Sequence, residues 1–337
     1  MTLEHRTFGR LKLTGAAHAS ASVVGLGCWQ LGADWGEVSE DDALAVLRAA
    51  HDSGVTFFDT ADVYGDGRSE KIIARFRAEL GDAAAGIMVA TKVGRRADPF
   101  VAETYSEENL RAWVDRSRTN LQTDTLDLVQ LHCPPPAVYD MDPVFDTLAE
   151  LRQENVVAGF GVSVETTAEA LTAIARPGVV SVQIILNAFR LKPLDEVLPA
   201  AMEAGVGIIA RVPLASGLLS GKYTADTTFE ASDHRNYNRD GAAFDVGETF
   251  SGVDFVTGLA AVEELRADLP QGVPLPQAAL RWIIDQPGVT TVIPGARNAD
   301  QARRNAAAGE STLPAGFADT VREVYDARIR ESVHARW

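Results

Sequence analysis

The feature that most constrains this chain is an eightfold alternation of two sequence textures. Short runs rich in β-branched and apolar residues fall at 23–26, 56–58, 87–90, 126–131, 156–162, 180–186, 206–210 and 290–293. They read as strands. Between most of them lie longer stretches, at 40–52, 69–80, 107–121, 143–154, 166–175, 194–203 and 276–285, in which apolar residues recur three or four apart, as on one face of a helix. Ser39, Ser69 and Ser106 stand where a short side-chain oxygen can cap a first helical turn. Eight strand–helix units favour a closed parallel (β/α)8 (TIM) barrel over an open doubly wound sheet. No Pro/Gly/Ser linker divides the sequence, so 1–337 is expected to form one barrel domain. The one shift in composition is 224–254, a long loop after the seventh strand, rich in Gly, Asp and Asn and dotted with Phe229, His234, Tyr237, Phe244 and Phe250. At this length it is expected to be a loop excursion or a functional lid.

Composition narrows the function classes. A formal net charge of −16 argues against a nucleic-acid surface, which needs a basic field to displace counterions. Any anionic ligand must then be held by local cations or backbone N–H groups. No apolar run approaches the roughly 18 residues of a membrane span, and residues 1–10 lead into no run of signal-peptide length. A cytoplasmic protein without membrane or nucleic-acid partners is expected. Cys28 and Cys133 have no second Cys or His at ligand spacing, and they follow strands that are not neighbours in an eight-stranded ring. Neither a metal nor a disulfide is expected.

In a parallel barrel the functional groups gather at the C-terminal strand ends. Asp59 ends the second strand, Tyr64 follows five residues later, Lys92 ends the third strand and His132 the fourth. Together these types form an acid–base device. A phenol is too weak an acid at neutral pH unless a nearby cation stabilises its phenolate, and Lys92 can supply that cation. A buried lysine needs a counter-charge, which Asp59 can provide. His132 can hold a substrate oxygen, leaving Tyr64 as general acid for reduction or base for oxidation.

With these residues in place the sequence resembles the aldo-keto reductase family, from Gly25-Leu26-Gly27 to Asn305. The resemblance implies a (β/α)8 barrel with Asp59, Tyr64, Lys92 and His132 as the catalytic tetrad and Tyr64 as proton donor. It also implies NAD(P)H lying across the C-terminal mouth without a Rossmann domain, consistent with the absence of a Gly-x-Gly-x-x-Gly between an early strand and helix. Ser163 and Gln183 match positions that grip the nicotinamide amide, and Asn187 is placed on the same wall. Cys28, Trp29, Asp59 and Arg211 are assigned to the inner cofactor surface. The segment 213–222, with Pro213, Leu214, Gly217 and Lys222, resembles the pyrophosphate loop. Gly295, Arg297, Gln301 and Asn305 resemble the adenosine end, where a helix N-terminus and Arg297 suit a 2′-phosphate and favour NADP(H) over NAD(H). The sequence departs from the family at Val164, where many relatives have Asn, at Arg211, where an aromatic often stacks, and at Arg304, which replaces a frequent Glu. Trp29, Trp35, Tyr64 and His132 are the substrate-side candidates.

The implied activity is NAD(P)H-dependent reduction of aldehyde or ketone carbonyls, reversible towards alcohols or aldoses. The alternatives are a redox-sensing, cofactor-binding subunit with slow turnover and a dedicated aldose or alcohol dehydrogenase. Nothing in the sequence specifies an oligomeric state.

Overall fold

The computed structural model describes residues 2–9, 20–32, 38–231 and 233–337. Its centre is a parallel sheet of eight strands in chain order: β1 Leu26–Gly27, β2 Phe57–Asp59, β3 Met88–Val93, β4 Leu128–His132, β5 Phe160–Ser163, β6 Val179–Ile185, β7 Gly207–Arg211 and β8 Val289–Val292. The ring closes between its first and last members. Gly25 N donates to Val292 O (2.8 Å), Val292 N to Val23 O (3.0 Å) and Gly27 N to Pro294 O (3.1 Å). The chain crosses this seam closely: a Cβ on Gly25 would sit 2.9 Å from the Phe57 ring and 3.1 Å from Ile293. The expected (β/α)8 barrel is thus the observed one.

Side chains alternate across each strand, so every second residue points into the barrel. Along β2 these are Phe57 and Asp59, along β3 Met88, Ala90 and Lys92, and along β4 Leu128, Gln130 and His132. The lower positions form a closed apolar core with Val180, Ile209 and Ile293. The upper ones on these three strands are polar, so the strands carry their chemistry one step above a packed floor. That floor is plugged from below by a short antiparallel hairpin, His5–Thr7 with Ser20–Ser22, which inserts Phe8 against Phe57 with ring centroids 5.8 Å apart. The hairpin strands are too short to carry a periodic signal, and sequence reasoning did not find them.

The outer helices follow the expected pattern. Ser39 and Ser106 cap theirs, accepting from Asp42 N (3.1 Å) and Asn109 N (3.3 Å). Ser69 does not. It lies inside helix Arg68–Leu80, whose N-cap is Gly67 at φ +87°, and its hydroxyl instead donates to Cys28 O (3.0 Å). The helix expected at 194–203 is Val197–Ala204, preceded by a 3-10 turn at Lys192–Leu194. Helices Phe255–Ala267 and Phe317–Arg328, unrecognised in the sequence, pack against each other outside the barrel.

The described residues of 224–254 form more than a plain loop. The stretch holds a short helix, His234–Tyr237, and two 3-10 turns, Val246–Glu248 and Phe250–Gly252. Its second half is clamped by Trp337, whose ring lies 3.9 Å from the Arg190 guanidinium and whose Nε1 donates to Asp245 Oδ1 (3.0 Å). Among the described residues, no helix is long and apolar enough to cross a membrane.

Candidate active site

The register of the barrel brings the upper polar residues together. Lys92 Nζ donates to Asp59 Oδ1 (2.5 Å), to Thr60 O (2.9 Å) and to the Tyr64 hydroxyl (3.4 Å). Asp59 Oδ2 accepts from Gln183 (2.8 Å) and Gln130 (3.3 Å), so both carboxylate oxygens are occupied. The Asp59 and Lys92 side chains are 4% and 1% exposed, which makes this a fully buried ion pair with saturated hydrogen bonding. Burial works against the Lys92 charge, but Asp59 and Tyr64 outweigh it and raise its pKa.

Tyr64 stands on the turn after β2. Gly65 follows at φ +57°, and a Cβ there would lie 2.2 Å from Gly32 O, so no larger residue fits beside the phenol. Trp29 stacks on Tyr64 at 5.9 Å and 18°, and the His132 ring meets its edge at 5.9 Å. Contrary to the sequence expectation, the phenol is not made more acidic overall. Burial pushes its pKa up to about 12, and Lys92 offsets only part of that rise. His132 is held well below the ordinary histidine range, first by burial and then by the charges of Arg95, Lys92 and Arg211, so it stays neutral. Its Nδ1 is buried without a hydrogen-bond partner.

One cavity of about 590 Å³ extends from this cluster along the mouth. Of the cofactor positions expected from the sequence it is lined by Cys28, Trp29, Asp59, Ser163, Gln183, Arg211, Pro213, Leu214, Gly217, Lys222, Gly295, Arg297 and Gln301. Asn305 lies outside it and braces the wall, donating to Gly295 O (3.1 Å). Asn187 is also spent structurally, donating to Val212 O (2.9 Å) and Ser251 Oγ (2.7 Å). Trp35 lies outside the described residues. The two cysteines are free, and burial pushes both thiols up, away from the reactive thiolate.

Arg211 does not lie free over the cavity floor. It pairs with Glu165 (2.8 Å) and Glu248 (3.0 Å), and donates to Val164 O (3.0 Å). Cys133, Glu165 and Glu248 lie close together, with both carboxylates paired to the Arg211 guanidinium.

The residues fit an extended dinucleotide. The turn after β7 runs through positive φ at Val212 (50°), Ala215 (46°), Ser216 (53°) and Gly217 (94°), a backbone concavity of the kind that receives anions. A Cβ on Gly217 would meet the Tyr223 hydroxyl at 2.3 Å, and one on Gly295 would meet the Gln30 amide at 2.3 Å, so glycine lets these side chains pack directly against the backbone of the cavity wall. Lys222, Arg235 and Arg297 supply cations along the outer half. Sequence reasoning missed Gln30, Arg95, Arg235 and Glu248. Arg95 was findable, standing three residues beyond Lys92 on the face where barrel sites are built. The other three carry no local signal.

Fold and mouth together define a (β/α)8-barrel oxidoreductase. The match to known families makes this specific: residues 23–326 fit the model described as "Aldo/keto reductase family", and the chain belongs to that family. It is 31% identical over 284 residues to aldo-keto reductase YhdN of Bacillus subtilis, covering 83% of each chain. Among solved structures it superposes on the glycerol dehydrogenase AKR11B4 of Gluconobacter oxydans with a TM-score of 0.76 at 26% identity, covering 96% of this chain and 97% of that one. The holo form of aldo-keto reductase AKR11C1 from Bacillus halodurans gives 0.75 at 25% identity, covering 98% and 99%.

Proposed function

We propose that this chain reduces the carbonyl of a small aldehyde or ketone with a nicotinamide dinucleotide, and oxidises the corresponding alcohol or aldose in reverse, with Tyr64 as the proton donor. The observation that carries this reading is the buried relay in which Lys92 Nζ reaches both Asp59 (2.5 Å) and the Tyr64 hydroxyl (3.4 Å) beside a neutral His132. A phenol with a pKa near 12 keeps its proton until the carbonyl oxygen gains negative charge, and then gives it up next to a fixed ammonium. The unpartnered Nδ1 leaves His132 unconstrained at one nitrogen and therefore able to adopt the tautomer that donates to the substrate oxygen. The bound nicotinamide supplies the hydride for the new C–H bond, or accepts it in the oxidative direction. Tyr64 supplies the proton for the new O–H bond, and its phenolate is reprotonated from solvent.

Ser163 and Gln183 hold the nicotinamide end in this reading. The turn at 212–217 takes the pyrophosphate, and Lys222, Arg297 and Gln301 take the adenosine end, with NADP(H) preferred over NAD(H). Glycerol dehydrogenase, in the name of one solved relative, is consistent with the oxidative direction on a polyol. The excursion at 224–254 serves as a lid on a single barrel domain, since His234, Arg235, Tyr237, Phe244 and Glu248 all line the cavity. The setting is cytoplasmic.

The test is Tyr64→Phe, which removes the transferable proton and keeps the ring. In single-turnover oxidation of bound NADPH by a test aldehyde, the chemical step should fall about 10²–10⁴-fold with NADPH affinity nearly unchanged. Comparable rates in both proteins would remove Tyr64 from the mechanism.

A further inference from the structure

Arg95 is a charge in the bowl that the reaction above does not use. It follows β3 by two residues and lines the same cavity as Tyr64 and His132. Its recorded neighbours are weak ones. Glu248 Oε1 lies 4.0 Å away, beyond hydrogen-bond reach, and the Phe244 ring centroid lies 6.0 Å from its guanidinium carbon. Glu248 is already committed to Arg211 at 3.0 Å. The other guanidinium of the inner bowl, Arg211, is paired with two carboxylates and donates to a carbonyl. Arg95 makes no hydrogen bond to any described residue, and its side chain is 28% exposed, towards the cavity.

The position is set by a chain of ring contacts around the rim. Tyr64 stacks on Trp29 (5.9 Å), Trp29 meets Phe244 edge-on (6.2 Å), and Phe244 lies beneath Arg95 (6.0 Å). Arg95 thus shares one aromatic-walled bowl with the proton donor, and its charge helps to keep His132 neutral. A guanidinium presents five N–H donors in a planar fork that matches a carboxylate two-fold. Placed in a partly desolvated bowl of an otherwise acidic chain, its unfilled fork selects for a ligand that brings the missing acceptor.

We infer that Arg95 is a specificity residue, and that the substrate is a short carbonyl compound whose far end carries a carboxylate seated on the Arg95 guanidinium while its carbonyl lies against Tyr64 and His132. This rests on the carbonyl-reductase reading above. A carboxylate is preferred to a phosphate because a single fork with Glu248 4.0 Å behind it balances one negative charge, not two.

The test compares kcat/KM for 4-oxobutanoate, 5-oxopentanoate and 6-oxohexanoate with that for the methyl ester of each, in the wild type, Arg95→Gln and Arg95→Lys. In the wild type, at least one acid should exceed its ester by about tenfold or more, carried by KM, as one charge-assisted interaction predicts. Arg95→Gln should collapse that ratio to near unity, and Arg95→Lys should restore part of it. Acid and ester turned over equally at every length by the wild type would overturn the inference while leaving carbonyl reduction standing. So would an equal fall for acid and ester in Arg95→Gln, which would make Arg95 a brace for Glu248 and the excursion. No turnover of any acid or ester would overturn this inference together with the reading on which it rests.

Discussion

Lys92→Met removes the cation that faces the Asp59 carboxylate and leaves that carboxylate buried at the top of the barrel. Breaking one side of a buried pair costs about 3–5 kcal/mol, because the survivor is left uncompensated. Here Asp59 retains the Gln183 (2.8 Å) and Gln130 (3.3 Å) donors, which places its share near the lower bound, about 3 kcal/mol. Thr60 O also loses its 2.9 Å donor, adding about 1 kcal/mol. Asp59→Asn strands the lysine instead. Burial then drives it to the neutral amine, and deprotonating an ordinary lysine at pH 8 costs about 3 kcal/mol. The double variant carries neither charge and strands neither partner, so its destabilisation should fall short of the sum of the single variants by about 3 kcal/mol. The assay is urea unfolding at pH 8, followed by tryptophan fluorescence and far-UV circular dichroism, with coincident transitions as the check on two-state behaviour. Additivity within about 0.5 kcal/mol would refute the view that the pair is held together chiefly by mutual charge compensation.

Arg297→Ala should weaken NADPH more than NADH by about 1.5–3 kcal/mol, since its half-exposed guanidinium has the Asp233 carboxylate at 4.0 Å as its recorded ion-pair partner and is otherwise available to a 2′-phosphate. Equal losses in a binding titration would exclude that role. Asp62 has both carboxylate oxygens buried without hydrogen-bond partners, and burial, then Glu70, raise its pKa from 3.8 to about 7. The folded state therefore holds a proton that the unfolded state has lost, and this contribution to stability declines as pH rises from about 4 to 7. Asp62→Asn should gain about 1–3 kcal/mol on the wild type between pH 5 and pH 8 in denaturant unfolding, and a constant difference across that range would contradict the assignment. Hydrogen exchange should slow across 233–244 when NADPH binds, because that half of the excursion lines the cavity, while 245–252 should already be protected by the Trp337 clamp. Unchanged exchange at 233–244, alongside clear protection near Arg297, would leave the excursion a static rim.

The sequence by itself determined the ring of eight strands and the residues at their upper ends. Both follow from local periodicity: a strand with Phe57 inward must also turn Asp59 inward, and Leu128 in the floor puts Gln130 and His132 above it. The family motifs then marked much of the inner cavity wall, because glycine turns and strand ends are local signals too, but not Gln30, Arg95, Arg235 or Glu248. Tertiary structure alone decided what those side chains meet. That Gln183 donates to Asp59 across the barrel, that Glu248 reaches in from the excursion to pair with Arg211, and that Trp337 pins a turn some ninety residues earlier are contacts between positions with no shared periodicity. The same holds for electrostatics. The sequence places a lysine beside a phenol and suggests a lowered pKa, but whether attraction or desolvation prevails depends on how much water the folded bowl admits, and here desolvation prevails at Tyr64.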